Sequence, residues 1–237
     1  MVYGVNTLKV DLIDKMGSDL TVVNAARVSF AKNSDWDHSI PFAEGNILKD
    51  SDAKLIKYLA KHNHWSPFGH ASLQFHIKAP VFVARQLVKH QVGLVWNEIS
   101  RRYVDDEPEF CKVDSWRARA ENKKQGSDES KTIDEVYPPE SDWKFPTSSL
   151  KEQVETLALR YYNTMLESGV APEQARMILP QSMMTEWYWS GTLYAFARVC
   201  NLRCKPDAQL ESREICDMID KQVEELFPVS WRSLRDE

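Results

Sequence analysis

The segment from Ser72 to Ala79 constrains the fold more than any other. Leu73, Phe75, Ile77 and Ala79 alternate with Ser72, Gln74, His76 and Lys78, the period-2 pattern of a strand with one buried and one polar face. Pro80 follows and opens a helix at a position where its missing N–H does no harm; Val81, Phe82, Val83, Leu87 and Val88 pack that helix into the core. A second alternation, with Met183, Thr185, Trp187 and Trp189 against Met184, Glu186 and Tyr188, predicts another strand. Gly191-Thr192 is expected to break it and to begin a helix reaching about Arg203. Leu8 to Ile13 alternates more loosely and also reads as a strand.

Helical patterns fill much of the remainder. Ser51 to Lys61 reads as a helix capped by Ser51, with Leu55, Tyr58 and Leu59 on one face. Another helix runs from a cap at Ser148 or Ser149 to about Glu167, and Pro172 starts a short one that ends before Pro180. Ile215, Ile219 and Val223 mark the inner face of a final amphipathic helix. Leu20 to Phe30 fits either a short helix or an irregular segment. Between Asp105 and Thr147 charge and proline accumulate, as in Lys123-Lys124-Gln125-Gly126-Ser127 and Pro138-Pro139. That stretch is too long for a simple turn and reads as a partly structured insertion in a single domain spanning 1–237. No internal repeat is present. Strands separated by runs of helices indicate an α+β fold, a sheet flanked by helices, rather than a doubly wound one.

With 237 residues the chain can bury one substantial core. No apolar run approaches the roughly 18 residues that cross a bilayer, and Met1 to Asn6 lacks the basic start of a signal peptide, so a cytoplasmic protein is expected. A net charge of -5 argues against broad nucleic-acid binding, which needs a basic surface to displace counterions. Cys111, Cys200, Cys204 and Cys216 form no secreted disulfide pattern and no zinc-ligand pairing, and are expected to be buried, inert thiols. His62, His64, His70 and His76 lack a nearby carboxylate or cysteine to complete a ligand set, so no metal is expected.

The chemistry is concentrated in residues 85–103. Arg85 and Lys89 are four apart, as are Gln86 and His90, so on a helix all four occupy adjoining parts of one face. Like charges at that spacing cost a few tenths of a kcal/mol, which leaves two readings: an anion or carboxylate opposite, or a solvated basic stripe. Asn97, Glu98, Ser100, Arg101, Arg102 and Tyr103 then crowd donors and acceptors together. Adjacent arginines with a serine and a tyrosine suit phosphate oxygens, and Asn97 and Glu98 suit the edge of a heterocycle.

At this point the chain resembles the flavin-dependent thymidylate synthases. Their signature is Arg-His-Arg, seven residues, then Ser. Lys89-His90-Gln91 and Ser100 are its counterpart here, with Lys and Gln in place of the flanking arginines and a spacer one residue longer. His64-Trp65-Ser66-Pro67-Phe68-Gly69-His70 resembles the family's His-x-Ser/Thr-Pro-Phe-Glu-His segment, with Gly69 for the usual Glu. Asn24 to Phe30, Ala175 to Pro180 and Asn201-Leu202-Arg203 resemble further family segments in the same order. The resemblance implies the family's fold and homotetrameric assembly with shared active sites. It also implies reductive methylation of dUMP, with FAD as cofactor, NADPH as reductant and methylenetetrahydrofolate as carbon donor.

By position it assigns His64, Ser66, Lys89, His90, Gln91, Asn97, Glu98 and Arg198 to FAD. Gln86, Glu98, Ser100, Arg101, Arg102, Arg176 and Arg203 go to dUMP. Arg203 would polarise the uracil ring, His90 would hold or polarise the flavin, and Ser100 would bind rather than attack, since no base is assigned beside it. Without the resemblance, Arg176 and Arg203 read as cations compensating helix C-termini, and Trp187 and Trp189 as core. The altered signature leaves one rival reading, a flavin- or nucleotide-binding protein that has lost catalysis. A single-strand nucleic-acid binder is a second, which the acidic balance disfavours.

Overall fold

The computed structural model describes residues 8–39, 47–104, 106–121 and 126–235; Met1 to Asn6 and Lys123 to Gln125 lie outside them. Strand β1 (Lys9–Met16) leads to helix α1 (Asp19–Arg27), which tightens into a 3-10 turn over Val28–Phe30, so the helical reading of that stretch holds. Helix α2 (Asp50–Lys61), a 3-10 turn (Ser66–His70), β2 (Ser72–Pro80), α3 (Val81–Leu87) and β3 (Leu94–Glu98) follow. Among its described residues the 105–147 stretch holds two short ribbons, β4 (Arg117–Arg119) with β5 (Ser127–Thr132) and β6 (Glu135–Val136) with β7 (Phe145–Pro146). Then come α4 (Thr147–Glu167), α5 (Pro172–Ala175) with a 3-10 turn (Arg176–Ile178), β8 (Met184–Thr192), α6 (Leu193–Arg203), α7 (Leu210–Leu226) and α8 (Pro228–Leu234).

The main sheet has the order β1-β2-β8-β3 and is antiparallel throughout. Its buried face carries the alternation read from the sequence. Phe75 pairs with Trp189 and Ile77 with Trp187, all four fully buried against Phe196 of α6 and Ile215, Ile219 and Val223 of α7. Trp96 of β3 stacks on Trp187 at 4.3 Å between ring centroids and meets Trp189 edge-on at 5.6 Å, so both tryptophans are core, as expected. Asp19, buried at the start of α1, accepts backbone N–H bonds from Val229 and Ser230 at 2.9 Å and ties α8 to the front of the fold.

Five expectations need correction. Strand β8 is not broken at Gly191-Thr192 but runs through both. Its residue 191 lies so close to β3 that a Cβ there would sit 2.5 Å from the Gly93 carbonyl oxygen and from Leu94 Cδ2, so the glycine permits pairing instead of ending it. The Thr192 hydroxyl then accepts from Ala195 N at 3.2 Å and caps α6. Helix α3 ends at Leu87, because His90 N turns back to the Leu87 carbonyl at 3.0 Å and Gly93 takes φ +77°, a turn that launches β3. Lys89 and His90 therefore do not share a helical face with Arg85 and Gln86. Helix α2 starts at Asp50, placing Ser51 inside it, and α4 starts at Thr147 behind Pro146, so neither Ser148 nor Ser149 is its cap. Strand β1 also runs three residues past Ile13, held by its pairing with β2.

Candidate functional site

The turn between α3 and β3 points His90 at the end of α6. The Arg203 Nε–H donates to His90 Nε2 at 3.0 Å, across 113 residues of sequence. An imidazole that accepts at Nε2 carries its proton on Nδ1. Burial, and then the positive charges of Arg203 and Arg198, hold the His90 pKa below its ordinary value of 6.5. The unfolded chain takes this proton near 6.5, and the folded chain only at lower pH. The stability this group contributes is thus complete above the unfolded pKa and is lost as pH falls through the folded one. Melting curves between about pH 7.5 and 5 are expected to show a smaller acid-side loss for His90→Gln than for the parent protein. Superimposable pH profiles would show that His90 carries no depressed pKa.

A cavity of about 580 Å³ opens between α2, the turn after it, α6 and the C-terminal segment; neither His90 nor Arg203 lines it, though their neighbours Arg198 and Leu202 on α6 do. His64, Trp65, Tyr194 and Arg198 line it, with the Trp65 and Tyr194 rings 6.3 Å apart. Lys61, Arg198 and Lys205 bring positive charge to its wall, and no carboxylate lies among its described lining residues. Arg235 also reaches the wall, but its Nε donates to Asp220 at 2.7 Å. Flat rings with unopposed cations suit a planar heterocycle carrying phosphates, and the volume lies within the ordinary range of small-molecule sites. Ser66 is exposed at the head of its 3-10 turn and is not part of this wall.

The third group lies at the end of β3. Ser100 Oγ accepts from Arg102 N at 3.3 Å and from Arg102 Nε at 3.2 Å; Arg101 Nη1 donates to the Asp106 carbonyl. Both Glu98 oxygens have partners, Oε1 accepting from Thr185 Oγ1 at 2.7 Å and Oε2 from Trp96 Nε1 at 3.2 Å. Glu98 is thereby anchored to β8. Asn97 and Gln91 are exposed, as is Lys89. Gln86 donates from Nε2 to Gln209 Oε1 at 3.3 Å.

Ser66, Lys89, Gln91 and Asn97 are exposed and line no part of the cavity, and Arg176 is exposed in its 3-10 turn and donates to the Glu173 carbonyl at 3.3 Å. Conversely, Trp65, Tyr194, Lys205 and Gln209 escaped the sequence reading. Tyr194, Arg198, Asn201 and Lys205 recur at three- and four-residue steps and signal one face along and just past α6; Gln209 carries no such signal. Cys111, Cys200 and Cys216 are buried and Cys204 partly so, and burial raises the first three thiols above their ordinary pKa. Among the described residues no cluster of three or more His, Cys, Asp or Glu side chains is placed to hold a metal, and no helix is long and apolar enough to cross a membrane.

The family model described as thymidylate synthase complementing protein matches residues 11–229. A flavin-dependent thymidylate synthase of Thermus thermophilus is 38% identical over 227 residues, covering 96% of this chain and 75% of its own length. One from Kosmotoga olearia is 34% identical over 222 residues, covering 94% and 87%. Among solved structures, the UMP/dUMP methylase PolB from Streptomyces cacaoi, bound with 5-Br dUMP, superposes with a TM-score of 0.75 at 26% identity, covering 98% of this chain and 96% of its own.

Proposed function

The chain belongs to the thymidylate synthase complementing protein family, whose curated relatives are flavin-dependent thymidylate synthases, and we propose that it methylates dUMP reductively to dTMP. The balanced reaction takes methylenetetrahydrofolate as carbon donor and NADPH with a proton as reductant, and releases tetrahydrofolate and NADP⁺. Bound FAD would relay the hydride, the cofactor carrying the difficult chemistry while the protein positions and polarises.

One observation carries the reading: the His90–Arg203 bond joins the signature turn to the end of α6, the helix whose Tyr194 and Arg198 line the basic, ring-lined cavity. His64, Trp65, Tyr194 and Arg198 fit a flavin nucleotide there. His90, kept neutral, holds its edge without adding a positive charge. Arg203, tied to His90 by Nε, keeps its Nη groups for the uracil ring, where charge builds up as C5 becomes nucleophilic. Ser100 and Arg102, already hydrogen-bonded to each other, form a phosphate-holding turn with Arg101 beside it. Arg176 completes the nucleotide site from another copy of the chain in a homotetramer. Val154, Leu157 and Tyr161 support such assembly, forming an exposed apolar stripe on α4 near exposed Met177 and Ile178. The test is the purified protein with FAD, dUMP, methylenetetrahydrofolate and NADPH. Formation of dTMP is expected; FAD binding without dTMP would favour the catalytically lapsed reading, and no FAD binding would overturn both.

A further inference from the structure

Gln86 has one occupied and one open end. Its Nε2 donates to Gln209 Oε1, whereas its Oε1 is buried with no hydrogen-bond partner among the described residues. The reason lies two steps away. Gln209, just before α7, donates from Nε2 to Glu211 Oε2 at 3.0 Å. Glu211 is 6% exposed, sits in the first turn of α7 where the helix dipole favours its charge, and pairs through Oε1 with Arg117 of β4. Arg117 is held in turn by its Nε donating to Ser127 Oγ of β5 at 2.7 Å. Arg213 of α7 reaches the same ribbon through Glu129 at 2.6 Å.

An ionised carboxylate only accepts. Glu211 therefore compels Gln209 to present Nε2 to it and Oε1 to Gln86. Gln86 must then give its Nε2 to Gln209, which leaves Oε1 as the end it offers. A buried acceptor without a partner carries an uncompensated desolvation penalty, which is removed when a donor arrives. Bound dUMP has donors at ring N3–H and the 3′-hydroxyl.

We propose that Glu211 and Gln209 are positioning residues that set the amide polarity of Gln86, so that it meets the nucleotide as an acceptor. Through Arg117, the 105–147 insertion is then part of the substrate site's framework. This rests on reading Gln86 as a dUMP contact. The test is a double-mutant cycle on dUMP affinity in the FAD-loaded protein, measured by calorimetry. Gln209→Met keeps length and removes both hydrogen bonds. Gln86→Ala is expected to weaken dUMP about tenfold, and Gln209→Met about fivefold in the parent background but not further in Gln86→Ala. Glu211→Gln, which can donate as well as accept, is expected to weaken dUMP in the parent background only. Equal weakening by Gln209→Met in both backgrounds, or none in either, would overturn the relay while leaving the Gln86 contact standing. Unchanged affinity in Gln86→Ala would remove the contact itself and the relay with it. Melting temperature and FAD content of each variant separate these outcomes from a general loss of fold.

Discussion

Arg203→Ala is expected to keep the fold and bound FAD but to lose most dUMP binding and dTMP formation. Charge-assisted hydrogen bonds contribute about 1.5–3 kcal/mol each, so dUMP affinity should fall roughly tenfold to a hundredfold. The structure adds a second consequence. Arg203 holds His90 through Nε and helps to depress its pKa, so the imidazole should titrate closer to its ordinary value in the variant. Arg203→Lys should rescue poorly, because an ammonium cannot bond His90 and present a planar pair of donors at once. Were Arg203 only compensating the dipole at the end of α6, its loss would cost about 0.3–1 kcal/mol of stability, and lysine would serve well. The deciding comparison sets dUMP affinity and His90 titration beside thermal stability for both variants. Unchanged affinity with a lowered melting temperature would return Arg203 to a helix-end role.

Gly191→Ala should damage fold and site together. In the buried row of the sheet Gly191 pairs with Leu73 on one side and Leu94 on the other. An added Cβ would meet the Gly93 carbonyl oxygen and Leu94 Cδ2 at 2.5 Å, and the first is backbone that no side-chain rotation can move. Relief requires β3 to shift away from β8, at a cost of about 3 kcal/mol. For a chain of this size that lowers the melting temperature by roughly 6–12 °C. Since β3 delivers Asn97, Glu98 and Ser100, the shift should also loosen the Glu98–Thr185 bond and weaken dUMP. Gly69→Ala is the control: its nearest neighbour would be Trp65 Cζ3 at 3.7 Å, ordinary contact, so stability should move by no more than about 0.5 kcal/mol. Equal melting temperatures for the two variants would refute the close-approach account.

By itself the sequence determined what repeats over a local period. The alternation of Ser72 to Ala79 and of the Trp187–Trp189 region specified two half-buried strands, because a one-residue slip would turn Phe75 and Trp187 out to solvent. The spacing of Ile215, Ile219 and Val223 likewise specified the inner face of α7. The ordered motifs from Asn24 to Arg203 specified the family, since each carries its residue types within a few positions. What the tertiary structure decided has no local period. Strand β3 is five residues long, too short for its pattern to stand out, and exists because Gly93 turns the chain and Gly191 admits it beside β8. The end of α3 is set by the same turn, which is why Lys89 and His90 left the helical face that their spacing implied. Arg203 and His90, or Gln86 and Gln209, meet only after the sheet and α6 and α7 have packed. Likewise the basic cavity exists only where α2, α6 and the C-terminal segment converge. Contacts between residues so far apart in the chain are set by closure and packing of the whole fold, so no short window of residues contains them.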